Sequence, residues 1–132
     1  GQDVTVNTGN LVITEAMKGI VHTGSGTVTQ ATDHTTTVNI DSTSGVITLA
    51  GVALAAGAEA DFLVTNDTVQ ADSVILLTVQ SPASASATDN ATLVAHLDAV
   101  TSEQFNVRLT NPGAGSTSTN AYKIHFLVIN NS

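Results

Sequence analysis

Residues 26–66 read GTVTQATDHTTTVNIDSTSGVITLAGVALAAGAEADFLVTN, and this stretch decides the fold. Thr, Val, Ile and Leu recur with a period of two, which places successive side chains on opposite faces of an extended chain. Between the β-type runs stand turn residues: Asp41 to Gly45 as DSTSG, and Gly57 between alanines. Gly, Asn, Asp and Ser tolerate or stabilise the backbone angles that a strand cannot use. Nothing reactive lies in the stretch beyond His34, so its specificity rests on how strands pack and assemble.

Working outward, the same pattern predicts strands at 4–7, 11–14, 27–30, 36–40, 46–49, 60–65, 73–79, 92–100, 104–111 and 122–129. Many short strands with regular turn signals predict an all-β chain, a β-sandwich or jelly-roll-like barrel of about 8–10 short antiparallel strands. The segment 49–60, LAGVALAAGAEA, is rich in a strong helix former, but Gly51 and Gly57 argue for a connecting turn or one loose helical turn. Residues 1–24 read as an N-terminal arm or a pair of edge strands, and residues 25–132 as the sandwich module.

One late strand alternates as a half-buried strand should, while two others carry more apolar residues than one buried face needs. In 104–111, Phe105, Val107 and Leu109 share one face and Asn106, Arg108 and Thr110 the other. The last strand places Tyr122, Ile124, Phe126 and Val128 on one face, yet Leu127 and Ile129 fall on the opposite one. Val74-Ile75-Leu76-Leu77 shows no alternation at all, the mark of a strand covered on both sides. A central strand within one domain accounts for this, and so does an interface between subunits. Val74, Leu76, Leu127 and Ile129, with Val4 and Val6 of the N-terminal segment, are therefore the interface candidates.

Length and composition set further bounds. A chain of 132 residues with 42% hydrophobic and 11% charged residues is one domain with enough apolar material for a core. Aromatics are only 3%, so Val, Ile, Leu and Ala fill that core and a deep ring-lined pocket is not expected. The net charge is −8, with Lys18, Arg108 and Lys123 the only strong bases. Too few cations remain to neutralise phosphates, so no nucleic-acid partner is expected. The longest apolar runs are far shorter than the roughly 20 residues of a membrane-spanning helix, and no membrane partner is expected. Residues 1–4, GQDV, show neither the basic nor the apolar part of a secretory signal.

The residues for chemistry are sparse. There is no cysteine, and no G-x-S-x-G, H-E-x-x-H, G-x-G-x-x-G or phosphate-binding loop. The expectation is a non-enzymatic protein with no catalytic residues, no metal and no cofactor. His96 and His125 lie in alternating strands as structural residues, while His22 and His34 are expected at the surface. Asp33, Asp41, Asp61, Asp67, Asp72 and Asp89 border turns without forming a calcium loop. Paired carboxylates for glycoside chemistry would lack an aromatic floor for the sugar. Asn66-Asp67-Thr68, Asn90-Ala91-Thr92 and Asn130-Asn131-Ser132 fit the glycosylation pattern, and are read as chance matches in a chain rich in these residues.

Gly26-Thr27-Val28-Thr29-Gln30, Gly45-Val46-Ile47-Thr48-Leu49, Ala53-Leu54-Ala55-Ala56-Gly57 and Phe62-Leu63-Val64-Thr65-Asn66, followed in order by Asp72 to Leu77, Gln104 to Asn111 and Ile124 to Ile129, together resemble a module of tailed-bacteriophage virion structural proteins, in head decoration proteins, head fibres and tail-associated proteins. The loop 81–91 departs from the resemblance, being Ser- and Ala-rich where a glycine-rich turn is expected. The resemblance implies a capsid decoration or head-fibre protein: a homotrimer that binds the major capsid protein on the outside of the phage head, made in the bacterial host cytoplasm. A tail fibre or spike domain that binds a host-surface receptor is the alternative, with the loops 81–91 and 112–120 carrying specificity. A cell-wall or capsule hydrolase ranks last.

Overall fold

The computed structural model describes Gly9, residues 22–83 and residues 93–131. Eight strands follow one another: β1 Gly26–Thr29, β2 Val38–Asn39, β3 Ser44–Thr48, β4 Glu59–Thr65, β5 Val74–Gln80, β6 Val94–Thr101, β7 Gln104–Thr110 and β8 Lys123–Ile129. They form two four-stranded sheets, ordered β1-β3-β8-β5 and β2-β4-β7-β6. The chain is an all-β sandwich, as the alternation predicts, and each described strand falls on a predicted run. The predicted strands at 4–7 and 11–14, with Val4 and Val6, lie outside the described residues, as does most of the loop 81–91.

The pairing departs from an all-antiparallel expectation in two places. β1 pairs parallel with β3, and β2 parallel with β4. The reason is the route of the chain, which crosses between the sheets at each step from β1 to β5. Two successive reversals return the chain to the same sheet in its original direction. A period-two pattern is blind to strand direction, so the sequence alone does not distinguish these pairings. The other pairings, β3–β8, β4–β7, β5–β8 and β6–β7, are antiparallel.

Alternation fills the space between the sheets. β7 contributes Phe105, Val107 and Leu109, and β8 contributes Ile124, Phe126 and Val128, all buried. Ile47, Phe62 and Val64 complete the centre. Phe105 of one sheet meets Phe126 of the other, with ring centroids 5.7 Å apart and planes tilted by 54°, an arrangement that aromatic quadrupoles favour. No ring is left over: Tyr122, Phe62, Phe105 and Phe126 are all buried.

Buried amides tie the connections to this core. Asn111 donates through Nδ2 to the carbonyls of Leu54, Ala55 and Gly115, and its Oδ1 accepts from Gly113 N at 3.0 Å. Asn66 donates to Ser42 O at 2.7 Å and accepts from the Thr68 backbone and hydroxyl. With its amide buried and occupied, Asn66 is no glycan acceptor in this fold. Thr117 and Leu54 exchange two hydrogen bonds of 2.8 Å, which pins the 112–120 loop to the 49–58 segment. That segment is a turn, with Gly57 at φ 70° and Ala58 N bonded to Ala55 O, in agreement with the reading of 49–60 as a connection.

Candidate functional site

The two outer faces of the sandwich differ in chemistry. On the β2-β4-β7-β6 sheet, Arg108 lies between two carboxylates, with Nε 2.9 Å from Asp61 and Nη2 3.2 Å from Asp98. The Asp61 hydrogen bond, with both carboxylate charges, holds the guanidinium even more firmly protonated than usual. A β-bulge supplies the second partner: the β6–β7 register shifts between Leu97 and Ala99, so Asp98 is the extra residue, re-aimed toward Arg108. Asn106 Nδ2 also reaches Asp98, at 3.5 Å. The centre of this face is polar and internally paired, with Val94 exposed at its margin.

The outer face of the β1-β3-β8-β5 sheet divides into two halves. Register places Thr78 opposite His125 and Gln80 opposite Lys123, and His125 Nε2 lies 2.7 Å from Gln80 Oε1. That half is polar. In the other half Val74 stands opposite Ile129, and Leu76 opposite Leu127. Val74, Leu76 and Ile129 are 46%, 52% and 46% exposed, and Leu127 is half-buried. Cross-strand partners and their diagonal neighbours lie within side-chain reach, so the four make one apolar patch. Carrying each out of water is worth roughly 1 kcal/mol, about half the value for a fully exposed side chain.

The patch borders an edge. β5 ends the order of its sheet, and Val74 to Gln80, VILLTVQ, contains no charge and no proline. Edges of this kind are normally blunted by such residues, or covered.

Four of the six interface candidates, Val74, Leu76, Leu127 and Ile129, are thus brought together, while Val4 and Val6 lie outside the described residues. The expectation that both faces of these strands are buried is met on the inner side alone: Ile75 and Val128 are in the core, with Leu77 packed against it, while the outer side chains are not enclosed by the described chain. The parity of the residues held this information. Val74 and Leu76 share one parity and Leu127 and Ile129 another, and antiparallel pairing aligns them.

The residues for chemistry are dispersed. His22 precedes β1, His34 lies between β1 and β2, His96 is on β6 and His125 on β8. His96 and His125 are exposed strand residues and His22 is exposed, but His34 is buried, against the expectation of a surface position. The loop 31–36 folds inward because Gln30 bridges it to β3's end, donating to Thr36 O at 3.0 Å and accepting from Ala50 N at 3.3 Å. A cleft of about 380 Å³, which the sequence did not signal, is lined by Asn39, Asp41, Asn66, Asp67, Glu103 and Gln104 among others. Asp41 Oδ1 is already engaged there by Asp67 N and Asn39 Nδ2. Among the described residues, no group of three or more His, Asp or Glu is placed to hold a metal ion.

Compared with protein-family models, curated proteins and solved structures, the chain matches none.

Proposed function

We propose that this chain is a non-enzymatic structural protein of a tailed-phage virion, a capsid decoration or head-fibre protein that binds the outside of the head as a trimer. The observation that carries the reading is the uncharged apolar patch of Val74, Leu76, Leu127 and Ile129 on β8 and on β5, the last described strand of its sheet, on a body whose histidines are scattered. A surface of this kind calls for another polypeptide, and the resemblance of the β-strand series to phage head proteins supplies the class. The major capsid protein and further copies of the chain are the partners.

The mechanism is mass action. A protein that binds the assembled lattice and not its separate subunits stabilises the lattice by its binding free energy, repeated over many copies. The remaining net charge of −8 keeps such a protein soluble at high concentration.

Light scattering on a sizing column across a dilution series tests the reading. A particle of three times 13.4 kDa that binds phage heads, and that loses both properties with Leu76→Lys and Ile129→Lys, supports it. Binding to host cells but not to heads moves the protein to the tail. A monomer indifferent to both substitutions and to heads removes the proposal.

A further inference from the structure

The connection from β1 to β2 passes from one sheet to the other, and little fastens it to the body. Of residues 31–37, His34 alone is buried, while Ala31, Thr32, Asp33, Thr35 and Thr37 are exposed. The turn is shaped from within. Asp33 Oδ1 accepts from Thr35 N at 2.8 Å and from Thr35 Oγ1 at 2.7 Å, and Thr36 N donates to Asp33 O at 3.2 Å. Two links reach outward. Gln30 Nε2 donates to Thr36 O at 3.0 Å, and the His34 imidazole hydrogen-bonds with the Ala50 backbone. Both converge on Ala50, which is buried and whose N donates to Gln30 Oε1 at 3.3 Å.

The buried plug is poorly satisfied. Among the described residues, His34 Nε2 is the one buried side-chain nitrogen or oxygen without a hydrogen-bond partner. Protonation there adds a charged donor that meets no acceptor, a costly state in the interior. Asp33, on the turn itself, is the one charged group that acts on the ring. Gln30, at the end of β1, and Ala50, beyond β3, bring no titratable group. Asp33 is exposed and adjacent in sequence, so it stays beside the imidazolium when the turn moves outward.

We infer that residues 31–37 form an acid-opened flap: on acidification His34 takes up a proton and leaves the interior, and the turn swings off Ala50 while both sheets stay folded. Opening withdraws one side chain and breaks the Gln30–Thr36 bond, so it demands less free energy than unfolding the core. In the closed state burial holds the imidazole below its ordinary pKa, and in the open state the ring regains the ordinary value of about 6.5. The closed flap is therefore fully favoured above that pH. The ratio of open to closed rises by at most about 10-fold per pH unit as pH falls toward the lowered value. The inference does not require the proposed function.

The chain has no cysteine, so one introduced thiol reports alone. Ala50→Cys, Val107→Cys and Thr78→Cys are made separately in the full chain and treated with 4,4′-dithiodipyridine, which reacts with thiols at acid pH. Thr78 is exposed and serves as reference, and Val107, fully buried, reports unfolding of the whole domain. Relative to position 78, position 50 is expected to react about 10-fold faster at pH 5 than at pH 7.5, with position 107 far slower than 50 at both. Adding His34→Gln removes the rise at position 50.

No rise at 50, the same rise with His34→Gln, or equal rates at 50 and 107 each overturn the inference, the last in favour of global unfolding. Amide exchange at Ala50 and Val107, followed by NMR and corrected for the intrinsic effect of pH, reads the same outcomes without an introduced thiol.

Discussion

Gly26 and Gly45 face each other across the parallel β1–β3 pair, and neither position has room for a side chain. A Cβ on Gly45 would lie 2.7 Å from the Gly26 carbonyl oxygen, 2.7 Å from Ile40 Cδ1 and 2.9 Å from Phe126 Cε1. One on Gly26 would meet Ile40 Cγ1 at 2.8 Å. Ile40, buried, occupies the space that two missing side chains leave. Gly45→Ala is expected to cost about 1–3 kcal/mol by overpacking, since one of its contacts is backbone and cannot turn aside. Gly45→Ala combined with Ile40→Val should lose less than the sum of the two single changes, because both act on one volume. Urea midpoints of the three variants check this, and strict additivity would contradict the shared volume.

Asn111 is a junction rather than a surface amide. Fully buried, it closes hydrogen bonds to Leu54, Ala55, Gly113 and Gly115. Asn111→Ala strands carbonyls in the interior and should cost about 2–4 kcal/mol, the range for breaking a buried polar network. Asn111→Asp should be at least as harmful, since a carboxylate offers no donor to three carbonyls. The thermal midpoint of each variant against the parent is the measurement, and a shift within error would show that the connections hold without the amide.

Much of the fold was legible because the information is local. The alternation of 104–111 and 122–129 set both the existence of β7 and β8 and the faces that Phe105 and Phe126 turn inward. What was not legible depends on partners distant in sequence. Parallel pairing of β1 with β3 leaves no trace in a period-two pattern. His34 is buried because Gln30 and Ala50 draw in a loop whose residues, TDHTTT, read as surface. The apolar patch was half legible: the excess of apolar residues marked Val74, Leu76, Leu127 and Ile129, but only register shows that they adjoin, and only the sheet order places them at the last described strand of the sheet.

Phe105 and Phe126 join the two sheets, and their contact should dominate the packing between β7 and β8. Phe105→Ala removes the ring from a fully enclosed site and is expected to cost about 3–5 kcal/mol, a large part of the stability of a domain of this size. Phe105→Leu keeps most of the volume and should cost no more than about 1.5 kcal/mol if the core repacks. Calorimetric or urea unfolding distinguishes the two. Equal losses would mean that ring geometry outweighs volume at this contact.

His34 makes the stability of the chain depend on pH. Its side chain is buried, with Nε2 lacking any partner. Burial lowers the imidazole pKa below its ordinary value of about 6.5, against the smaller opposing effects of a hydrogen bond with the Ala50 backbone and of the Asp33 charge. The unfolded chain therefore binds this proton at a higher pH than the folded chain does. The stability that the neutral imidazole contributes is fully present above pH 6.5 and is lost as pH falls from there toward the lowered folded value, at a slope of at most about 1.4 kcal/mol per pH unit. Asp33 acts in a separate window. The Thr35 side-chain and backbone hydrogen bonds hold its carboxyl below the ordinary value of 3.8, so its contribution is present above that pH and is lost below it. Urea midpoints at pH 7.5 and pH 5 should fall on acidification in the parent and fall less in His34→Gln, whose amide fills much of the same space and carries no proton equilibrium. If both proteins lose the same stability between those pH values, His34 is not the group responsible.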